Sequence, residues 1–256
     1  MAQYFRENQE RLALVTTRNL DFPPHIHEKL ELVYMVRGTS TAYCQGKQYH
    51  LRCGDFFLAF PEQVHHYTDS ADCEARLIIA DPARLFLDRH IWEKAPVSAV
   101  YSCDDPDLVQ LLEIAVRDHL ENDDRAVTLP LLSAILEKLL KHYSFSEQQV
   151  KDGMVSQLVR YCSAHFKEPL TIGDVSKALY VSSSHISHTF NEKLKISFPD
   201  YINSLRLDEA VRLLEHSDLS MEQIAEEAGF PTTRTFHRAF RKKYNISPSK
   251  YKTSGL

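Results

Sequence analysis

The last hundred residues of the chain repeat themselves, and that repeat constrains the fold more than any other feature. The first copy is LTIGDVSKALYVSSSHISHTFNEKLKISFPDYI, Leu170 to Ile202. The second is LSMEQIAEEAGFPTTRTFHRAFRKKYNISPSKYK, Leu219 to Lys252. Leu170/Leu219, Val175/Ile224 and Val181/Phe230 lie 49 residues apart. After a one-residue insertion, Ile186/Phe236, Phe190/Phe240, Ile196/Ile246 and Tyr201/Tyr251 lie 50 apart. Apolar positions kept in step over such lengths mean one supersecondary unit used twice.

Each copy reads as helix, tight turn, helix. Thr171 and Ser220 stand as N-caps, with Asp174 and Gln223 three residues on in the manner of a capping box. The first helix of copy two ends at Ala228-Gly229, where glycine takes the left-handed conformation. Copy one has Tyr180 there, so its turn is expected to be built differently. The second helices run from about Ser183 to Leu194 and from about Thr232 to Tyr244, and Phe198 to His216 reads as a long connecting helix.

The second helix of each copy has apolar residues four apart (Ile186/Phe190, Phe236/Phe240) and a polar opposite face. From Arg234 to Lys252 there are seven basic residues and no acidic one. Basic side chains behind small hydroxyls suit phosphate anchoring and base-edge contact in a DNA major groove. The plainer alternative is a solvated basic helix in an ordinary bundle, which the duplication weakens. Residues 151–256 carry 15 Lys and Arg against 12 Asp and Glu, whereas residues 1–150 carry 15 against 23, so the halves differ in sign.

Ala225, Gly229 and Phe230, followed by Phe240-Arg241-Lys242 and by Ile246-Ser247-Pro248 with Tyr251, resemble the signature of the AraC/XylS family of bacterial transcription regulators. The resemblance covers about Met154 to Thr253. Asn245 stands where the family usually has glycine, and it tolerates the left-handed region. Lys195 replaces the equivalent glycine in copy one, a costlier swap expected to distort that helix end. The resemblance implies two helix-turn-helix units, about 172–193 and 222–245, set in successive major-groove segments. The base-facing candidates are then Ser184, Ser187 and His188 in copy one, and Thr233, Arg234, His237 and Arg238 in copy two. Arg241, Lys242 and Lys243 would mostly hold phosphates.

Residues 11 to 102 read as short strands with regular turns, the pattern of an antiparallel sandwich or barrel. Leu30 to Val36 is apolar and β-branched and stops at Arg37-Gly38; Thr39 to Cys44 continues, and Gln48 to Leu51 returns after a turn at Gln45-Gly46-Lys47. Phe56 to Phe60 and Arg76 to Ala80 are further strands. From Asp104 the period becomes helical, with Leu108, Leu111, Leu112, Ala115 and Val116 on one face. A second helix is expected after Thr128 as N-cap, with Pro130 in its first turn. This hairpin either covers the sheet or forms a dimer interface. Ser144 to Gly153 reads as a polar linker.

Residues 23–38, PPHIHEKLELVYMVRG, place His25, His27 and Glu31 at one parity, and therefore on one face of an extended strand. Gly54-Asp55, Pro61 and His65 follow downstream. The pattern H-x-H-x3-E-x6-G with G-D-x5-P-x3-H resembles the cupin double-stranded barrel over roughly residues 23–67. That resemblance implies a first-row divalent metal held by His25, His27, Glu31 and His65, a donor set suited to iron, manganese, nickel or zinc. Three readings stand: an effector pocket without metal, ranked first; a metal-containing sensor, ranked second; and a cupin metalloenzyme of dioxygenase or isomerase type, ranked last. His66, Tyr67, Tyr34 and Tyr43 either add hydrogen bonds to a ligand or belong to the core, the latter being favoured for the tyrosines.

Other chemistry is thin on the ground. The five cysteines are odd in number and form no C-x-x-C pair, which argues against a disulfide framework and a zinc knuckle. Neither a phosphate-binding glycine loop nor a serine-nucleophile motif occurs. The N-terminus has no signal-peptide pattern, and no apolar run is long enough to span a bilayer, so a cytoplasmic protein without membrane association is expected.

The expected architecture is α+β: a cupin-like antiparallel β-barrel over 1–103, a helical hairpin over 104–143, a linker over 144–153 and an all-α DNA-binding domain over 154–256. The expected protein is no enzyme but a transcription regulator. Its partners would be a double-stranded DNA operator, a small effector (sugars being a frequent class in the family), RNA polymerase should it activate, and a second copy in a homodimer.

Overall fold

The computed structural model describes residues 12–122, 125–146 and 153–254. The chain divides into two compact units, the first of Met1–Phe22 and Ile26–Gly153 and the second of Met154–Leu256 together with Pro23–His25. Among the described residues no helix is long and apolar enough to cross a membrane.

The first unit is built on an antiparallel sheet. Its strands are β1 (Leu12–Thr17), β2 (Phe22–His25), β3 (Leu30–Cys44), β4 (Lys47–Arg52), β5 (Asp55–Ala59), β6 (His65–Ala80), β7 (Ala95–Pro96), β8 (Val100–Ser102) and β9 (Phe145–Ser146). The main sheet runs β1-β6-β3-β5-β8, with β2 also on β6 and β4 also on β3, while β7 and β9 pair separately. The α+β class and the antiparallel sheet hold, but the expected barrel is open: among the described residues no pairing joins β1 to β8. Closure is not needed to bury the outer face, because a helical hairpin covers it.

Side-chain alternation sorts the sheet into two cores. Leu30, Leu32 and Tyr34 of β3, Phe56 and Leu58 of β5 and Ile78 of β6 face outward to the helices. Val33, Met35, Phe57, Ala75 and Leu77 face inward. Each fully buried Leu or Phe contributes roughly 1.5–3 kcal/mol. Gly38 does not end its strand as expected. It sits inside β3 at φ +77°, where a Cβ would lie 2.4 Å from the carbonyl oxygens of Ala71 and Asp72. The register of β3 against β6 shifts at Met35/Arg37, Arg37/Thr39 and Thr39/Thr41. Beyond these irregularities the inward parity changes from Val33 and Met35 to Ala42 and Cys44. Such bulges let two long strands bend without ending.

The hairpin consists of α1 (Pro106–Asn122) and α2 (Arg125–Leu140). Leu108, Leu112, Ala115, Val116, Leu132, Ile135, Leu136 and Leu139 all join the outer core of the sheet. Arg76 clamps the Glu113 carboxylate at 3.0 and 3.1 Å, tying β6 to α1. Thr128 is not an N-cap: it is fully buried within α2, and Pro130 lies inside the helix. Pro130 is the sixth residue of α2, past the first turn, so its missing N–H costs the helix one i→i−4 bond rather than falling where no bond is made. The expected linker begins late, because Phe145–Ser146 pairs with Ala95–Pro96 and Phe145 stacks near Phe60 at 6.0 Å. Residues 147–152 of that linker lie outside the described residues.

The second unit is all helical: α3 (Met154–His165), α4 (Ile172–Leu179), α5 (Ser183–Glu192), α6 (Phe198–His216), α7 (Met221–Glu227), α8 (Thr233–Tyr244) and α9 (Pro248–Ser254). Thr171 and Ser220 form full capping boxes with Asp174 and Gln223. The two copies pack alike: Phe190 meets Tyr201 at 5.2 Å, and Phe240 meets Tyr251 at 5.5 Å.

The turn of copy one is not built differently. Tyr180 adopts the left-handed conformation (φ 57°, ψ 38°) that Gly229 supplies in copy two (φ +81°). Lys195 takes φ +54°, close to Asn245 at +58°, yet the helix end of copy one does differ: α5 stops at Glu192, two residues short of Leu194, the equivalent of Tyr244 at the end of α8. Hydrogen bonds around each turn over-determine the backbone and hold these residues where glycine is easier.

Candidate functional site

The α8 face opposite the buried Phe236 and Phe240 carries Arg234, Arg238 and Arg241 at spacings of four and three, all exposed. Thr232 caps this helix reciprocally with Thr235, leaving Thr233 half-buried in the first turn. His237 is half-buried, and its ring meets Phe236 edge-on at 5.5 Å. Lys242 and Lys243 are tied back to α6, to Asp200 at 3.1 Å and to Asp208 at 2.9 Å. No local pattern signals these pairs, whose partners lie 42 and 35 residues away. On α5, Ser184 and His188 are exposed and Ser187 is half-buried.

In the main sheet, β3 positions Glu31 and β6 positions His65, while His25 ends β2, which pairs with β6, and His27 lies just beyond it. Glu31 is 2% exposed and His65 fully buried, with His27 at 6% and His25 at 9%. Glu31 Oε2 lies 3.4 Å from His27 Nε2 and 3.5 Å from His65 Nε2. One donor atom from each of the four residues falls within 4.8 Å of the others.

The tautomers follow from the backbone. His25 Nδ1 meets the Pro23 carbonyl at 3.0 Å, His27 Nδ1 the Lys29 carbonyl at 2.9 Å, and His65 Nδ1 the Gln63 carbonyl at 2.8 Å. A carbonyl only accepts, so each neutral ring carries its proton on Nδ1 and presents a lone pair at Nε2. This is the outer-shell arrangement that orients metal-ligating histidines. Three such lone pairs beside a buried carboxylate fit a first-row divalent cation.

Tyr67 completes the site, donating to Glu31 Oε1 at 2.6 Å. Burial, then the neighbouring Glu31 charge and its hydrogen bond, push the Tyr67 phenol well above its usual range. Tyr43 and His66, by contrast, stack on one another at 4.3 Å, and Tyr34 packs against Phe56 at 4.6 Å in the outer core. Gln63, not singled out in the sequence, holds the loop before β6 by accepting from the Phe60 amide at 2.9 Å.

A separate cleft of about 580 Å³ opens elsewhere on the same unit, lined by Thr39, Thr41, His50, Arg52, Asp69 and Ser102 among others. Asp55 anchors its floor, accepting from the Arg52 amide at 2.9 Å and from Ser102 Oγ at 2.6 Å.

Comparison with known proteins agrees with this division. The model of the AraC-like ligand binding domain matches residues 9–140, and that of a helix-turn-helix domain matches residues 175–254. An uncharacterized HTH-type transcriptional regulator of Staphylococcus aureus strain MSSA476 is 22% identical over 232 residues. That match covers 87% of this chain but 31% of the relative, so the chain spans about a third of that protein's length. The uncharacterized HTH-type transcriptional regulator YfiF of Bacillus subtilis strain 168 is 22% identical over 247 residues, 90% of this chain and 78% of that one. Among solved structures, apo ToxT from Vibrio cholerae has a TM-score of 0.61 at 14% identity, covering 98% of this chain and 100% of that one. Wild-type ToxT with an unsaturated fatty acid bound has a TM-score of 0.55 at 14% identity, covering 97% of each chain. With a ligand-binding domain of this type over more than half its length and a helix-turn-helix domain behind it, the chain belongs to the AraC/XylS family of transcriptional regulators.

Proposed function

We propose that the protein is a sequence-specific DNA-binding transcription regulator whose N-terminal unit senses a small effector. The observation that carries this reading is the α8 face, where Arg234, Arg238 and Arg241 stand exposed on a helix capped for groove entry. Arginine reads guanine edges and anchors phosphates bidentately. Copy one has no arginine on α5, so most of the direct reading falls to copy two. Regulation is by binding rather than turnover, and the operator and, for an activator, RNA polymerase are the partners in the cytoplasm.

His25, His27, Glu31 and His65 would hold a divalent ion, which supplies positive charge beside the buried carboxylate. Donor atoms that lie within 4.8 Å of one another are spaced to converge on one ion. The organic effector is placed in the polar cleft, an open groove whose lining of Thr39, Thr41, His50 and Arg52 offers hydrogen-bond donors and acceptors. Its hydroxyls, imidazole and guanidinium favour a polar effector such as a sugar over an acyl chain like that bound to ToxT. Effector binding there changes DNA affinity, a coupling between distinct sites. Leu120 and Val127, 61% and 44% exposed near the tip of the α1–α2 hairpin, are the side chains that a homodimer contact would cover.

The test is selection of a duplex from a randomised DNA pool by the full chain, followed by affinity measurement with Arg238→Ala. A single sequence family should be enriched, and the variant should lose about five- to hundredfold in affinity while relaxing one base position. Failure to enrich any sequence, or an unchanged Arg238→Ala, would sink the reading.

A further inference from the structure

The two helix-turn-helix copies hold the same backbone turn with opposite side chains. Gly229 is the residue that space dictates: a Cβ there would lie 2.5 Å from Lys167 Cα and 2.6 Å from the Lys167 carbonyl oxygen. Its equivalent, Tyr180, takes the same left-handed conformation with a full phenol, 96% exposed. Among the described residues no hydrogen bond or ring contact engages that phenol.

The arrangement is costly on both counts. A left-handed non-glycine residue is strained, and an aromatic ring in water forgoes the burial that usually offsets its ordering. The turn is nonetheless locked. The Val181 amide donates to the Ser176 carbonyl at 3.1 Å, and Ser176 Oγ donates to the Val181 carbonyl at 2.6 Å. Strain that persists at an exposed position where glycine would fit points toward function.

Position identifies the function. Tyr180 lies two residues before Ser182, the N-cap of α5, whose side chain accepts from the His185 amide at 3.2 Å. The exposed residues that follow, Ser183, Ser184 and His185, are at the end of α5 that enters a groove in this class of motif. Between Lys177 and Lys193 copy one has no lysine or arginine. It lacks the cationic phosphate anchors that Arg234, Arg238 and Arg241 give copy two. A phenol is a neutral donor to a phosphate oxygen, and such contacts fix register on the duplex.

We propose that Tyr180 is a DNA-backbone contact of the first helix-turn-helix unit, its hydroxyl donating to a phosphate flanking the groove that α5 enters. The proposal rests on the DNA-binding reading above. The experiment uses the full chain and the duplex it selects from a randomised pool, with Tyr180→Gly and Tyr180→Phe as variants. Tyr180→Gly relieves the backbone, so its Tm should be unchanged or raised. Its affinity should fall about tenfold, as expected for losing one hydrogen bond to a charged group, and Tyr180→Phe should fall with it. Phosphate ethylation interference on the wild-type complex should show one site that disappears in both variants.

If the wild-type chain selects no duplex, the DNA-binding reading fails and this assignment falls with it. With a duplex in hand, unchanged affinity of Tyr180→Gly overturns the assignment of Tyr180 alone. So does weakened binding with the ethylation pattern intact. Unchanged DNA affinity with loss of transcriptional response would likewise overturn it and direct the phenol to a protein partner.

Discussion

Tyr67 donates its phenolic proton to Glu31 across 2.6 Å, from β6 to β3, inside the sheet. That bond fixes one carboxylate oxygen and turns the other toward His27 and His65. In Tyr67→Phe the ring keeps its edge contact with Phe57, at 5.3 Å, and only the donor is lost. A hydrogen bond to a buried charge contributes about 1.5–3 kcal/mol, so the variant should unfold at correspondingly lower denaturant. An unchanged midpoint would mean that Glu31 is protonated or otherwise satisfied without Tyr67.

The histidine set makes a separate prediction about metal. Chain prepared without a histidine tag and stripped with chelator should rise in Tm on addition of zinc or manganese, because a ligand bound only by the native state stabilises it. His27→Ala and His65→Ala should each abolish the rise, and elemental analysis should find about one ion per wild-type chain and none in the variants. Equal Tm with and without metal in the wild type would leave these residues as a hydrogen-bonded cluster.

Gly229 gives a sharp stability prediction. Gly229→Ala combines a left-handed backbone with a Cβ pressed onto the Lys167 backbone, which cannot rotate away as a side chain would. The cost should be about 3 kcal/mol or more, combining roughly 1–2 for the conformation with overpacking. Thermal or urea unfolding of the full chain reads it directly.

These sites differ in how far the sequence disclosed them. The repeat was legible because apolar residues at fixed offsets need no knowledge of the tertiary fold, and Phe190/Tyr201 and Phe240/Tyr251 duly pack alike. The histidine cluster was legible through the spacing of His25, His27, Glu31 and His65, but not through parity on one strand, since β2 ends at His25, a bend falls at Glu28–Lys29 and β3 begins at Leu30. The long strand β6 was not, since His65 to Glu74 (HHYTDSADCE) lacks alternation and is held by backbone pairing across bulges at Asp69 and Asp72. Thr128 misled because capping preference is local, while burial against the sheet decided where α2 begins. The partners of Lys242 and Lys243 lie a helix away, beyond any pattern of neighbours.

Acidification should weaken the helical unit in a defined window. Hydrogen bonds from Thr171 hold the Asp174 carboxyl below its ordinary 3.8, and Ser197 followed by Lys242 does the same for Asp200. A carboxyl depressed in the native state binds protons more readily when unfolded. Its stabilisation is therefore complete above the unfolded value and is lost as pH falls through the native one. Stability should be flat from about pH 6 to 4 on this account and fall below it. Asp200→Asn should show a smaller fall between neutral and acid urea titrations; an identical fall would place the acid sensitivity elsewhere.

Arg241 and Lys243 are near neighbours on α8 with opposite expected phenotypes. Arg241 is exposed on the outward face with Arg234 and Arg238. Lys243 turns back to Asp208 at 2.9 Å, and its ammonium lies 5.4 Å from the Tyr244 ring centroid. Arg241→Ala should leave the unfolding midpoint in place and weaken DNA binding across all sequences. The slope of log affinity against log salt should also drop by about one. Lys243→Ala should instead lower stability by about 1 kcal/mol or less, as expected for a surface pair, and keep the salt slope. Loss of salt dependence in Lys243→Ala would mean that the ion pair to Asp208 opens on DNA and that α8 presents a fourth cation to the phosphates.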